Sequence, residues 1–255
     1  VTKPESPEHA RQRRAIHDLV RERGLEHHWD AIDRRLKPAI GLRTRSFEAE
    51  DAIAGTCRVG GEPDLPKDLP WPHGEEGPLL FVLQVNLAAV TPYDLEGLLP
   101  SEGVLSLFTD RYVDDLRVLF FAPDEVLERR AWAPTVCGPF VACGVDVLPE
   151  LHVPHESHVV DEIPLTSDEH SEYWDHVWLA WRDTLRPGSA GEAGIHQMLG
   201  YPLGDGELGV GREVLFGFDS DDRAGMEWGD VQCVWVMIRR EALAHRDWQG
   251  LRGET

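Results

Sequence analysis

Three stretches of this 255-residue chain carry residue types that could do chemistry. His152, His155 and His158, with Asp161 and Glu162 close behind, offer imidazoles and carboxylates of the kind that hold Zn²⁺. Their i, i+3, i+6 spacing in a Pro-containing segment does not converge three side chains by itself, so solvated loop histidines are the favoured reading. The acidic run from Asp219 to Asp230 has oxygen donors at positions 1, 3, 9 and 12 of an EF-hand-like count, among them Asp219, Asp221 and Asp230. Arg223 and Ala224 stand where that loop needs a donor and a sharp-turning glycine. A tight β-connection is therefore expected, with Asp219 and Asp230 tying backbone amides and Trp228 folded over it; a looser Ca²⁺ site is the alternative. Gly204, Gly206 and Gly209 match a dinucleotide fingerprint on paper. The expected strand after them, and the charges of Asp205 and Glu207, argue against a bound pyrophosphate.

Two amides, a histidine and a tyrosine complete the candidates. Leu79–Leu87 is too continuously apolar for a surface strand, so Gln84 and Asn86 sit in a central one. Buried amides need partners, which are either nearby loop backbone, the favoured reading, or a ligand. If a pocket forms between two β-rich halves, Gln84, Asn86, His196, Tyr201, Trp228 and Asp230 are the residues expected to line it. No nucleophile elbow or phosphate-binding loop is present, and 46 Asp and Glu hide any catalytic pair. Cys57, Cys137, Cys143 and Cys233 form no CxxC pair and read as reduced, partly buried thiols. No cofactor is expected; Ca²⁺ or Zn²⁺ at the sites above are the alternatives.

The elements that must position these residues are short strands and a few helices. Ser6-Pro7-Glu8 starts a helix that Gly24 can end, and a second helix is expected around Leu25–Leu36 before Pro38. Strands are expected at Thr56–Val59, Leu79–Leu87, Gly103–Phe108, Leu116–Phe121, Phe140–Leu151, Val214–Phe218 and Gln232–Ile238. Leu151–Ser167 reads as a surface loop. Ser167-Asp168-Glu169 begins a helix to about Leu185, with Trp174, Val177, Trp178 and Trp181 on one face. A polar tail closes the chain. Gly-x-Pro, a strand with Leu-Phe, and a glycine-led strand occur twice, at Gly61–Pro63, Leu80-Phe81 and Gly103–Phe108, and at Gly200–Pro202, Leu215-Phe216 and Gly229–Val236. The expected fold is α+β with a mostly antiparallel sheet. A helical segment, 1–40, packs on a β-rich domain, 41–255, with an internal duplication over about 56–150 and 190–240.

The formal charge is −21 and uneven: residues 1–47 carry 11 Lys and Arg against 7 Asp and Glu, and the rest 14 against 39. The basic N-terminal helices are expected to dock on the acidic body. Such a field repels nucleic acid and anionic membranes and favours a basic protein partner. No apolar run reaches the length of a membrane span, and the N-terminus lacks the apolar core of a signal peptide, so a cytoplasmic location is expected.

These motifs together resemble the YwqG-like family of uncharacterised bacterial proteins. The resemblance rests on Gly60-Gly61-x-Pro63-x-Leu65-Pro66, Trp71-Pro72, Leu79–Leu87, Leu99-Pro100-x-x-Gly103-x-Leu105, His196-Gln197-x-x-Gly200-Tyr201-Pro202, and Asp219-Ser220-Asp221 through Trp228-Gly229-Asp230. It implies a sheet-dominated α+β fold and no established activity. The family's Leu-Gln-Ile/Leu-Asp-Ser run is altered here around Leu215-Phe216-Gly217-Phe218-Asp219-Ser220. Two functions are carried forward. One is a non-enzymatic binding protein for a basic partner, in its sharpest form an immunity-type inhibitor of a cationic toxin. The other is an enzyme or ligand-binding or metal-binding protein using the inter-half pocket.

Overall fold

The computed structural model describes residues 3–131, 139–155, 163–186, 195–203, 208–230, 233–249 and 251–254. Helices α1 (Pro7–Glu22) and α2 (Trp29–Asp33) lead into β1 (Lys37–Arg45), β2 (Arg58–Val59), β3 (Asp64–Leu65) and β4 (Leu80–Asn86). Next come α3 (Leu87–Val90), β5 (Val104–Thr109), β6 (Leu116–Phe121), β7 (Glu128–Arg129) and β8 (Cys143–His152). The chain closes with α4 (Ser167–Glu172), β9 (Ile195–Leu199), β10 (Arg212–Asp219), β11 (Cys233–Arg239), α5 (Arg240–His245) and β12 (Arg252–Glu254). Among the described residues, ten strands form one sheet in the order β12-β11-β10-β9-β1-β8-β2-β4-β5-β6, and β3 pairs with β7 apart from it. Every pairing is antiparallel. The fold is α+β with a mostly antiparallel sheet.

The centre of that sheet is a strand that sequence reasoning passed over. β1 pairs with β8 over its whole length and with β9 from Ala39 to Arg43. Pro38, which has no N–H to give, precedes the first β9 partner. Gly41 sits mid-strand because a Cβ there would land on the Glu150 carboxylate. The domain boundary expected at residue 40 therefore falls inside β1.

Two mirrored runs of neighbouring strands flank β1 and β8: β9-β10-β11-β12 on one side and β2-β4-β5-β6 on the other. The recurrent motifs fall on corresponding strands, Leu80-Phe81 on β4 and Leu215-Phe216 on β10. Each of these strands carries one bulge, at Val82 and at Leu215. Aligning the two strands on their bulges shifts them two residues from the Leu-Phe alignment and makes Gly217 the counterpart of Gln84. At Gly217 the Trp235 ring occupies the space a Cβ would take.

Ser6 caps α1, its Oγ accepting from the His9 amide at 3.2 Å, and Gly24 ends the turn at φ +73°. The second helix is shorter than expected: a 3-10 turn, Glu26–His28, and then α2. Docking of this segment is chiefly apolar, although His27 and His28 also meet the Glu169 carboxylate of the body. Ile16, Val20, Leu25 and Ile32 pack with Leu151, Val153, Tyr173, Trp178 and Trp181, whereas Arg11, Arg13 and Arg21 pair with acids of the segment itself. The Gln12 amide adds a directional contact, donating to Pro149 O at 2.9 Å and accepting from Leu151 N at 2.7 Å. It satisfies β8 where β2, paired only at Cys143 and Gly144, no longer runs beside it.

The Trp-rich helix starts one residue early. Thr166 is the cap, in a reciprocal box with Glu169. After α4 the chain continues in wider π-type turns over Tyr173–Trp178 and Trp181–Leu185. The segment expected to be a surface loop begins inside the protein instead: Leu151, His152, Val153 and His155 are all buried. The closing polar tail contains α5 and β12, the latter paired to β11. No helix among the described residues is long and apolar enough to cross a membrane.

Candidate functional site

Alternation along β1 sends Arg43 to one face of the sheet and Thr44 to the other, and each anchors a buried polar network. On the Arg43 face lies Glu150, fully buried on β8. Its Oε1 accepts from Arg43 Nη2, and its Oε2 accepts from Arg186 Nε at 2.8 Å and His152 Nε2 at 2.9 Å. Arg186, at the end of the Trp-rich helix, also donates to Gln197 Oε1 at 2.6 Å, and Gln197 Nε2 donates to the carbonyls of Leu199 and Tyr201. His152 Nδ1 accepts from Tyr201 N at 3.2 Å, so the proton sits on Nε2. The two guanidinium groups hold the Glu150 carboxyl far below the usual carboxylate range, although burial alone would raise it. Burial pushes the His152 imidazole down to about 4.

On the Thr44 face, Asp221 Oδ2 accepts from Thr44 Oγ1 at 2.6 Å and from His196 Nε2 at 3.1 Å. Asp221 Oδ1 accepts from the amides of Arg223 and Ala224 at 2.8 and 3.3 Å. His196 Nδ1 accepts from Asp219 N at 3.1 Å, which leaves the proton on Nε2. Threonine, aspartate and histidine resemble a nucleophilic triad in composition only. The hydroxyl donates to the carboxylate and not to the imidazole, and all three side chains are buried. What the trio does is fold the connector: Asp221 and Met226 exchange two backbone hydrogen bonds at 2.9 Å, and Gly225 turns at φ +63°. Asp221→Ala would strand the buried His196 N–H and Thr44 hydroxyl. We expect it to cost about 2 kcal/mol in urea unfolding; a loss indistinguishable from zero would show that water satisfies both groups.

A third network lies toward the other flank. Asp64, fully buried, accepts from Arg58, from Gln84 Nε2 at 2.7 Å and from Gly55 N at 2.9 Å through Oδ2, and from Arg129 Nε at 2.7 Å through Oδ1. Gln84 also accepts from Asp64 N at 3.0 Å and donates to Thr56 O at 2.8 Å. Asn86 donates to Gly55 O at 3.0 Å and caps α3 through Ala88 N. Both amides are thus spent on nearby loops.

The six residues expected to share a pocket are spread apart. β9, with His196, and β4, with Gln84, have β1, β8 and β2 between them, roughly 19 Å at the usual strand spacing. Tyr201 donates its hydroxyl to Arg35 O at 2.9 Å and lies under Lys37 Nζ. Trp228 is buried against Phe218 and Phe140. Asp230 is exposed, and the connector's ties come from Asp221 and Ser220, whose Oγ accepts from Trp228 N at 3.0 Å. Asp219 is half-buried, accepts from Ile195 N at 3.3 Å, and has its carboxyl raised by burial. The aspartates proposed for Ca²⁺ are therefore not gathered: Asp221 is saturated by protein donors and Asp230 faces solvent.

His152 and His155 are buried rather than solvated; His155 packs edge-on against Trp174 and Trp178. His158, Asp161, Glu162, Gly204, Gly206 and Cys137 lie outside the described residues. Cys57, Cys143 and Cys233 are free thiols, and burial pushes the first two up to about 11, which keeps them from acting as thiolates near neutral pH. A groove of about 1000 Å³ opens between α1, the Leu148-Pro149 part of β8 and Thr184–Arg186, with Arg11 and Arg14 on its rim. It contains none of the six.

Sequence reasoning missed Arg43, Glu150, Arg186, Asp64 and Arg58, and one further cluster, His27, His28 and Glu169. The one available signal was Glu150-x-His152, two polar residues two apart at the end of a strand with apolar Val147 and Leu148 before them. A model of a domain of unknown function, DUF1963, matches residues 57–252. Among curated proteins nothing matches the chain.

Proposed function

The chain belongs to the DUF1963 family, a domain of unknown function, and from its site geometry we propose that it is a non-enzymatic binding protein whose acidic surface takes a basic protein partner. The observation that carries this reading is how the ionisable side chains are divided. Those gathered into the polar networks of the sheet, namely Glu150, His152, His196, Asp221 and Asp64, are buried and bonded to one another or to arginines. The surplus carboxylates, among them Glu75, Glu76, Asp114 and Glu125, are exposed. An immunity-type inhibitor of a cationic toxin is the sharpest form of the proposal. Within the family, the motifs around Leu79–Leu87 and His196–Pro202 support a place among the YwqG-like bacterial proteins. The same charge argument speaks against a nucleic-acid partner, and a cytoplasmic setting is part of the proposal.

Poly-L-lysine provides the first test, since it carries the proposed partner's charge without its shape. Binding is expected to weaken at least tenfold between about 0.1 M and 1 M salt, as the Debye length contracts from about 10 to 3 Å. The variant Glu75→Lys/Glu76→Lys/Asp114→Lys should bind more weakly at the lower salt. No binding at low salt, or binding indifferent to both salt and substitution, would overturn the reading.

A further inference from the structure

His27 and His28 are consecutive residues of a 3-10 turn, where neighbouring side chains ordinarily diverge by about 120°. Here their imidazoles turn to the same atom. His27 Nε2 lies 2.8 Å and His28 Nε2 3.3 Å from Glu169 Oε1, some 140 residues away in sequence. The two rings sit 4.0 Å apart. The carboxylate is held from behind, its Oε2 accepting from Thr166 N and Thr166 Oγ1 at 2.8 Å each. One oxygen is spent on the helix cap and the other is presented to two imidazoles. The His27 side chain is 59% exposed, His28 10% and Glu169 22%, so the cluster opens to solvent on the His27 side.

We propose that His27, His28 and Glu169 bind a transition-metal dication of the Zn²⁺ type, through the two Nε2 atoms and Glu169 Oε1, with the remaining coordination open to water. Two imidazoles and one carboxylate are a donor set that Zn²⁺ takes, and one that Ca²⁺ and Mg²⁺, which prefer all-oxygen shells, do not. Bonds of ~2.0–2.1 Å place tetrahedral ligands about 3.3 Å apart, and the three ligand atoms already lie within 4.8 Å of one another. Each imidazole, ligating through Nε2, then carries its proton at Nδ1. The Thr166 box supplies the outer hydrogen bonds that orient a ligating carboxylate. His27 and His28 precede the family-matched segment and Glu169 lies within it. The ion would fasten the N-terminal helices to the Trp-rich helix.

The test is calorimetric titration of the full, tag-free chain with ZnCl₂, repeated with Co²⁺ to read its visible absorption. One equivalent is expected, with the intense d–d bands of a low-coordinate Co²⁺ complex. His27→Ala and Glu169→Gln should each weaken Zn²⁺ at least ~100-fold, the upper end of what losing a mere outer-shell partner costs. Neither variant threatens the fold, because His27 is exposed and glutamine can serve in a capping box. His176→Ala and His245→Ala, exposed and outside the cluster, should bind as the parent does. No stoichiometric uptake, or uptake unchanged in His27→Ala and Glu169→Gln, overturns the proposal.

Discussion

Glu150→Gln is expected to remove about 4 kcal/mol from the stability of the fold. The change keeps the shape of the side chain and deletes its charge. It leaves Arg43 and Arg186, both buried, facing each other without the anion that compensates them. Breaking a buried pair from one side costs about 3–5 kcal/mol, and here one carboxylate serves two guanidinium groups and an imidazole. Set against a typical stability of about 5–15 kcal/mol, this brings the protein near its unfolding threshold. Urea unfolding at pH 7 measures it. A loss under about 1 kcal/mol would show that water or a movement of Arg186 relieves the cations.

Acidification is expected to destabilise the protein between pH 6.5 and 4, before ordinary carboxylates titrate fully. In the fold His152 uses Nε2–H toward Glu150 and Nδ1 to accept from Tyr201 N. A second proton would have to go on Nδ1 and break the latter bond, beside the Arg186 charge and away from water. Burial accordingly brings its pKa down to about 4, against about 6.5 in an unfolded chain. Above pH 6.5 neither state carries the extra proton and the full contribution is present. As pH falls below 6.5 the unfolded state protonates first, and stability drops until pH 4. A gap of about 2.5 units corresponds to roughly 3 kcal/mol. His9, also lowered by burial, adds to the loss with the same sign. Urea midpoints at pH 7.5, 6, 5 and 4.5 test this, with His152→Gln expected to flatten the profile. Equal stability at pH 7.5 and 4.5 would sink the argument.

Local signals made part of this architecture legible in the sequence. The apolar run around Leu80–Asn86 and the pair β10–β11 stand out because their partners lie close in the chain. β1 does not, because Pro38, Gly41, Arg43 and Arg45 are poor strand formers taken singly. Gly41 makes sense only once Glu150, 109 residues on, is seen to occupy the missing Cβ position. Arg186 could be read as the end of a helix, but not as the partner of a carboxylate on another strand. His152 and His155 misled for the converse reason: polar residues near a proline read as surface until the aromatic rings that bury them are in place. Gln84 and Asn86 behaved as local chemistry expects, since loop backbone within about 30 residues satisfies both.

The placement of β1 has a consequence for how this chain is made. Its two neighbours are synthesised long after it: Lys37 pairs with His152, 115 residues later, and Leu42 with His196, 154 residues later. A nascent chain therefore carries its central strand unpartnered until β8 has emerged, and its second edge is covered only when β9 arrives. Pairings this distant fold slowly, and an exposed strand in the interval is an invitation to mispair with other chains. The helices made just before it, α1 and α2, themselves wait for β8 and the Trp-rich helix to bury Ile16, Val20 and Ile32.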